Sequence, residues 1–317
     1  MYFIKATKGR NNIILYIATM FLVGIGYMLG QVPITLLALY KIRNNPELGT
    51  EEVNAFWETL NFSLLYINNN VGLALMIFWF VPALIAFMLS LRYMHLRPFK
   101  FVITPLKNIN YKKIFFGFGL WFVLSLLSEG GNALLHPEVY FFNFKPINFI
   151  FLLLISLTLL PIQTSTEEFV MRGYIMPAVG FFSRNKWIGL AVSTIIFGLI
   201  HGTNPEVEKF GFWTMQIYYL MAGLFLGIIT ILDDSLELAL GVHAATNIFG
   251  AAFFSFEGSV LQTDSLFKAE VIDPTMMTIS FFIGAVIFML ICWKKYKWKW
   301  STMTTFGDME GDLVAKA

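Results

Sequence analysis

Charged residues are scarce in this sequence. Asp, Glu, Lys and Arg together make up 13% of the 317 residues, whereas 57% are hydrophobic. A water-soluble globular domain carries about a quarter charged residues, so this composition excludes a soluble globule with a charged coat. It indicates a polytopic membrane protein that has the lipid bilayer as its main environment.

The sequence also lacks a marked excess of either charge, and it nearly lacks cysteine. The formal net charge is +2 and the basic residues are grouped at helix ends, so no nucleic-acid partner is implied. The one cysteine, Cys292, lies in the last apolar run and has no second cysteine to pair with. We interpret it as a small buried hydrophobic residue, which says little about the redox compartment.

No cleavable leader, internal repeat or low-complexity segment stands out. Lys5, Lys8 and Arg10 precede an apolar run that continues past the usual signal-peptide length without a clear small-residue cleavage site. We therefore expect this run to be retained as the first helix. The sequence predicts one membrane domain over residues 1–300 and a polar, disordered cytoplasmic tail over residues 301–317.

Apolar stretches long enough to cross about 30 Å of hydrocarbon predict an all-α bundle of about eight transmembrane helices. The third stretch is short for a bilayer and the fourth is long, so the fourth is expected to tilt. The stretches lie at residues 13–40, 71–94, 113–128, 148–178, 187–204, 213–232, 236–255 and 275–296.

Lysine and arginine concentrate in the N-terminal tail, in the connections after the second and fourth helices, and after the last helix. Because basic residues mark cytoplasmic loops, both termini are predicted to be cytoplasmic. The alternate connections are acidic, with Glu47, Glu51, Glu52, Glu58, Glu129, Glu138, Glu206, Glu208, Glu257, Asp264, Glu270 and Asp273.

Three ionisable residues stand inside the fourth apolar run. A charged side chain near the bilayer centre costs at least about 2.5–3.5 kcal/mol on insertion scales, so such groups usually mark function. Glu168 and Arg172 lie one helical turn apart with the acid first, which suits an ion pair. Glu167 is rotated about 100° from Glu168 and is expected to face a cavity as a general base. The alternative is that all three are solvated and inert at the cytoplasmic end of a shorter helix.

Two later apolar helices each carry a histidine. His201 lies one turn after Phe197, whose ring can pack on the imidazole, and His243 lies one turn before Asn247. Each pair alone also fits a packing or interhelical hydrogen-bonding role. Counting 1.5 Å per residue places Glu167 and His243 about 10–15 Å from the cytoplasmic face, and His201 about 20 Å from it. The first two can share a site, and His201 is the outlier.

In this order on separate helices, the polar groups resemble the three motifs of the CPBP family, which includes CAAX proteases, bacteriocin-processing enzymes and abortive-infection-like proteins. The resemblance implies an intramembrane endopeptidase in a bacterial cell membrane. Its substrate would be a membrane-associated peptide or protein, either of the CAAX type or a bacteriocin or pheromone precursor. The motifs are Glu167-Glu168-x-x-x-Arg172, Phe197-x-x-x-His201 and His243-x-x-x-Asn247.

The resemblance also implies roles for these residues. By that analogy Glu167 and His201 activate water, while His243 and Asn247 stabilise the oxyanion. The remaining motif residues are expected to support them, namely Glu168, Arg172 and Phe197.

The sequence leaves two alternatives, one for the activation of water and one for the function of the protein. Glu167, His201 and His243 could supply a three-ligand zinc site, although the sequence has no His-Glu-x-x-His helix, and we favour metal-independent activation of water. A Gly-x-Ser-x-Gly nucleophile motif is also missing. The alternative function is a non-catalytic membrane scaffold or immunity protein that binds a partner helix or peptide. A proton-relaying transporter would need a polar path through both leaflets, whereas the polar groups cluster near one side.

Overall fold

The computed structural model describes residues 2–270 and 272–304, and α-helices dominate it. They are, in chain order, α1 (Tyr2–Ala6), α2 (Ile13–Gly30), α3 (Val32–Asn44), α4 (Thr50–Thr59), α5 (Asn69–Phe78), α6 (Phe80–Leu89), α7 (Lys100–Ile103), α8 (Tyr111–Leu135), α9 (Pro146–Thr158), α10 (Leu160–Val170), α11 (Met176–Ser183), α12 (Lys186–Ile200), α13 (Pro205–Phe210), α14 (Phe212–Asp233), α15 (Glu237–Ala252), α16 (Pro274–Tyr296) and α17 (Ser301–Thr304). The predicted tail over residues 301–317 begins with α17, and its residues 305–317 lie outside the described residues.

Among the described residues, six helical segments are long and apolar enough to cross a membrane. The prediction of an all-α polytopic membrane protein is therefore confirmed. Two of the eight predicted helices are shorter, since α12 has 15 residues and α15 has 16. The six segments are Ile13–Asn44, Asn69–Met94, Tyr111–Leu135, Pro146–Ser183, Phe212–Asp233 and Pro274–Tyr296.

Two predicted helix lengths differ from the structure. The third helix was expected to be short, but α8 is 25 residues long, because the polar residues near Glu129 continue the helix instead of ending it. The fourth helix is longer than predicted and is interrupted twice along its length. Pro161, in the first turn of α10, has no backbone N–H to donate to the preceding turn, and this separates α10 from α9. A π-helical turn, Met171–Ile175, then joins α10 to α11.

The short helix α15 lies in the interior of the bundle, packed against α8, α9, α10 and α14. Thirteen of its sixteen residues are buried. Its backbone approaches α8 closely at Gly241, where a Cβ atom would overlap the carbonyl oxygen of Ile114. A helix too short to span a bilayer is thus held inside the protein by its neighbours.

Both ends of the described chain lie at the same end of the bundle. Lys186 Nζ donates a hydrogen bond of 2.7 Å to the Thr302 carbonyl and lies 5.5 Å from the centre of the Phe3 ring. Trp298 Nε1 donates to Asp233 Oδ1 at 3.3 Å. We call this the terminal end.

A small sheet lies at the opposite end of the bundle. Its strands β1 (Tyr140–Phe142), β2 (Phe254–Phe256) and β3 (Phe267–Ala269) run in the order β1-β3-β2. In the central strand β3, pairing is antiparallel with β1 and parallel with β2. The sheet joins the connection between α8 and α9 to the connection between α15 and α16. The helical periodicity of the sequence did not predict it.

Candidate active site

A buried cluster surrounds Glu168. Its Oε1 atom accepts hydrogen bonds from Arg172 at 2.7 Å and from His243 Nδ1 at 2.8 Å. The second terminal nitrogen of Arg172 donates to the Gly223 carbonyl at 3.1 Å, and the guanidinium lies 4.3 Å from the centre of the Phe197 ring. The expected ion pair between Glu168 and Arg172 is present, and both side chains are fully buried.

His243 is held between two carboxylates. Because a carboxylate only accepts, His243 Nδ1 carries the proton that is donated to Glu168. Its other ring nitrogen, Nε2, lies 3.6 Å from Glu167 Oε2. The side chain of Glu167 is 12% exposed, and Gln163 donates to its Oε1 at 3.3 Å. The two adjacent acids therefore flank one imidazole from different sides.

His201 is fixed by two aromatic rings and one backbone hydrogen bond. Its Nδ1 donates to the Phe197 carbonyl at 2.7 Å, so that Nε2 carries the lone pair of the neutral ring. The imidazole lies 4.3 Å from the Phe197 ring and 4.8 Å from the Tyr219 ring, measured between centroids. The Phe197 contact is the one that the i, i+4 spacing predicts.

One cavity of about 740 Å³ is lined by Glu167, Phe197, His201 and His243. Asn247, one turn after His243, lies on its wall, and within the described residues its amide forms no hydrogen bond. Three connections contribute to the cavity at the end of the bundle opposite the terminal end; they contain Trp57 and Glu58, Asn204 to Glu206, and Ser259 to Leu261. The cavity brings together all four predicted catalytic residues, namely Glu167, His201, His243 and Asn247.

The depth expected for Glu167 was wrong, whereas the depth expected for His201, about 20 Å, agrees with the structure. The fourth helical segment continues to Ser183, so Glu167 lies about 24 Å along the helix from the terminal end. His201 lies about 22 Å from the start of α12 at Lys186, a matching depth. His243 meets them on α15, a helix that is buried in the bundle from its first residue, Glu237. The site is therefore nearer the opposite end than the sequence indicated.

The described residues contain no group of three or more His, Cys, Asp or Glu side chains arranged to hold a metal ion. The Nδ1 atoms of both cavity histidines are already used, by Glu168 and by the Phe197 carbonyl. The three candidate zinc ligands Glu167, His201 and His243 line one cavity, and the engaged Nδ1 atoms leave Nε2 of each histidine as the ring nitrogen that faces it.

Several contacts could not be read from the sequence. The hydrogen bond between Glu168 and His243 joins residues 75 positions apart, so no local spacing in the sequence predicts it. The same is true of the Gly223 carbonyl and the Tyr219 ring. Gln163 is different, since it lies four residues before Glu167 and the i, i+4 rule could have identified it.

Comparison with known proteins gives two matches. The sequence profile of the family described as "Type II CAAX prenyl endopeptidase Rce1-like" matches residues 146–249, which include all three motifs. The "Uncharacterized protein YyaK" of Bacillus subtilis (strain 168) is 33% identical over 262 residues, covering 81% of this chain and 83% of the relative. No solved structure matches the chain.

Proposed function

Because the chain belongs to the Rce1-like family of type II CAAX prenyl endopeptidases, we propose that it hydrolyses a peptide bond of a membrane-associated substrate inside its cavity. The family supports the activity, and the cavity supports the assignment of the reacting groups. The substrate would be a CAAX-type chain or a bacteriocin or pheromone precursor.

The observation that carries this proposal is the pairing of the Glu167 carboxylate with the His243 imidazole. Oε2 and Nε2 are 3.6 Å apart, which is longer than a direct hydrogen bond. A water or a substrate oxygen near these two atoms would be within reach of both. Glu168 holds the imidazole in this orientation through Nδ1.

Glu167 is assigned as the general base. It accepts a proton from water as the water oxygen attacks the peptide carbonyl carbon, and the proton passes to the leaving amine as the carbon–nitrogen bond breaks. His201 orients the water through Nε2, since its Nδ1 is committed to the Phe197 carbonyl. This assignment uses no metal.

His243 and Asn247 are assigned to the oxyanion. A protonated His243 leaves the buried cluster neutral, because Glu167 and Glu168 contribute two negative charges while Arg172 and His243 contribute two positive charges. In that form Nε2 carries a proton and donates to the oxyanion. The free amide of Asn247 is the second donor.

A comparison of membrane peptides from cells that express wild type, Glu167→Gln or Glu208→Gln tests the proposal. Glu208 is exposed and serves as the matched control. Removing the general base should lower cleavage about 10²–10⁴-fold at unchanged protein level, while Glu208→Gln cleaves normally. Full turnover by Glu167→Gln would refute the base assignment. Identical peptides with and without the protein would favour the scaffold or immunity alternative.

Chelation separates the two ways of activating water. The purified protein should retain its activity after exhaustive chelation and should contain no stoichiometric metal. One tightly bound zinc per active molecule, with activity restored by added Zn²⁺ to stripped wild type but not to His243→Ala, would replace direct activation by a metal. The protease assignment would survive that result.

A further inference from the structure

The cavity is rich in carboxyl groups, and within the described residues its basic side chains are His201 and His243 of the reacting cluster. Glu58, Glu167 and Glu206 line it, and none of its lining residues in the described chain is lysine or arginine. Lys209, beside Glu206 in α13, is already engaged, since its Nζ donates to the Glu257 carbonyl at 2.6 Å. Two of the three carboxyl groups, Glu58 and Glu206, have no assigned part in the hydrolysis.

Glu206 is the most informative of these groups. The residue is 6% exposed, and its Oε1 accepts a hydrogen bond of 2.7 Å from the Val260 backbone N–H. Its Oε2 is buried and has no partner of hydrogen-bonding geometry within the described residues. Burial raises the pKa of Glu206, and the Val260 N–H and the nearby Tyr219 and Ser259 hydroxyls oppose that shift. A buried carboxyl is costly unless donors or a cation offset its desolvation, and Oε2 has no donor in ideal geometry among the described residues.

The surroundings of Glu206 suit a cation. Trp57, Tyr218, Tyr219 and Phe256 also line the cavity, and aromatic faces attract guanidinium and ammonium groups. Tyr219 packs on His201 with 4.8 Å between ring centroids, so the carboxyl is separated from the reacting groups by one aromatic ring. Glu58 is exposed on the same cavity and forms no ion pair within the described part of the chain.

We propose that Glu206, with Glu58 at the mouth, forms a specificity subsite for a lysine or arginine side chain close to the scissile bond of the substrate. This inference rests on the proposed peptidase function. The substrate would enter the cavity from the end of the bundle opposite the terminal end. The carboxylates supply the charge, and the aromatic wall covers the aliphatic stem.

Peptide binding tests the subsite without any need for turnover. The protein in lipid nanodiscs is titrated with acetylated and amidated Leu-Leu-Arg-Leu-Leu and with the matched peptide that has Gln at the centre. Quenching of tryptophan fluorescence reports binding, because Trp57 and Trp79 line the cavity. Wild type should bind the Arg peptide about tenfold more tightly than the Gln peptide, the gain expected from one partly desolvated charge pair.

Three variants complete the test. Glu206→Gln keeps an acceptor for the Val260 N–H and should lower the Arg/Gln preference to about one- to threefold. Glu58→Gln changes an exposed residue and should lower the preference without a risk to folding, whereas Glu208→Gln should leave it unchanged. Equal or absent binding of the two peptides to wild type, or an unaltered preference in both test variants, overturns the subsite. If wild type prefers the Arg peptide but cleaves no membrane peptide in cells, the peptidase function is refuted and the subsite is not.

Discussion

One carboxylate oxygen of Glu168 accepts hydrogen bonds from both Arg172 and His243. Arg172 belongs to the framework, since it also binds the Gly223 carbonyl, while His243 faces the cavity. The sequence predicted the first contact by its spacing but could not predict the second. A residue that looked purely structural therefore also sets the orientation of a reacting group.

Arg172→Ala should lower both stability and activity. It leaves Glu168 as a buried carboxylate without its cation, a change that typically costs about 3–5 kcal/mol. Thermal unfolding in detergent measures the loss, with Arg92→Ala as the control because Arg92 is exposed. An unfolding temperature equal to that of the control would show that the ion pair does not stabilise the fold.

His95 is a second buried histidine, at the terminal end. It lies in a connection of the sequence, yet it is fully buried and bonded to the Arg10 carbonyl at 2.8 Å and to the Tyr174 hydroxyl at 2.7 Å. Burial lowers the pKa of His95; the hydrogen bonds to the backbone of Arg10 and Leu15 oppose this shift, and the nearby Arg97 adds to it. The neutral ring, which donates from Nδ1 to Arg10 and accepts at Nε2 from Tyr174, is the form that fits.

Stability should therefore fall as the pH drops below the ordinary histidine pKa of about 6.5, because the unfolded chain then binds a proton that the folded chain resists. Unfolding temperatures between about pH 7 and pH 5 should decline more steeply in wild type than in His95→Gln. His136→Gln is the matched control, since the His136 side chain is largely exposed. Parallel slopes for wild type and His95→Gln would show that another group causes the decline.

At the scale of elements, the contact between α8 and α15 positions the site. Gly241 lies against the α8 backbone and only two residues before His243. A carbonyl oxygen cannot rotate away as a side chain can, so any Cβ atom here must move a helix. Glycine at this position is thus a requirement of close approach.

Gly241→Ala should destabilise the protein by about 1–3 kcal/mol, the usual cost of overpacking, and should lower activity by displacing His243. Gly119→Ala is the control, because a Cβ atom at Gly119 in α8 meets nothing within 4 Å. That control should be neutral or slightly stabilising, since alanine favours helix. Thermal unfolding and cleavage assays of both variants check the prediction. Equal stability of the two would mean that α8 and α15 are less tightly packed than described.

The apolar pattern predicted the elements well and their lengths less well. All eight predicted segments fold as helices, because long apolar runs admit little else in a membrane. Hydropathy could not show that α15 is buried from Glu237 onward, or that the fourth segment is interrupted at Leu159 and continues to Ser183. Those features depend on contacts between residues distant in the sequence, and for that reason the depth predicted for the site was too small.

At the scale of the whole molecule, the two ends of the bundle differ in charge, and the cavity opens at only one of them. The terminal end carries most of the lysine and arginine residues, whereas the cavity mouth lies among the acidic connections. By the positive-inside rule we propose that the terminal end is cytoplasmic, which places the mouth on the outer side of a bacterial membrane. Substrates would then be presented from outside the cytoplasm.

Cysteine labelling in a background without Cys292 tests this orientation. Cysteines introduced near Lys107 and Lys295 should react only after the membrane is made permeable, whereas those near Glu52 and Asp264 should react in intact cells. The buried Cys292 is replaced first so that no native thiol interferes. Reversed labelling would turn the mouth toward the cytoplasm and change the substrates available to it.

The contacts of Lys186 with both ends of the described chain imply an order in which parts of the protein come together. Its amine lies over the ring of Phe3 and binds the carbonyl of Thr302, residues almost the whole described chain apart. During synthesis, α12, which begins at Lys186, is made long before Thr302 has left the ribosome. The terminal end can therefore close only after the last helix has been delivered, and until then the Lys186 ammonium group lacks the Thr302 carbonyl as its acceptor. Closure of the terminal end is in this respect a late step in the assembly of the bundle.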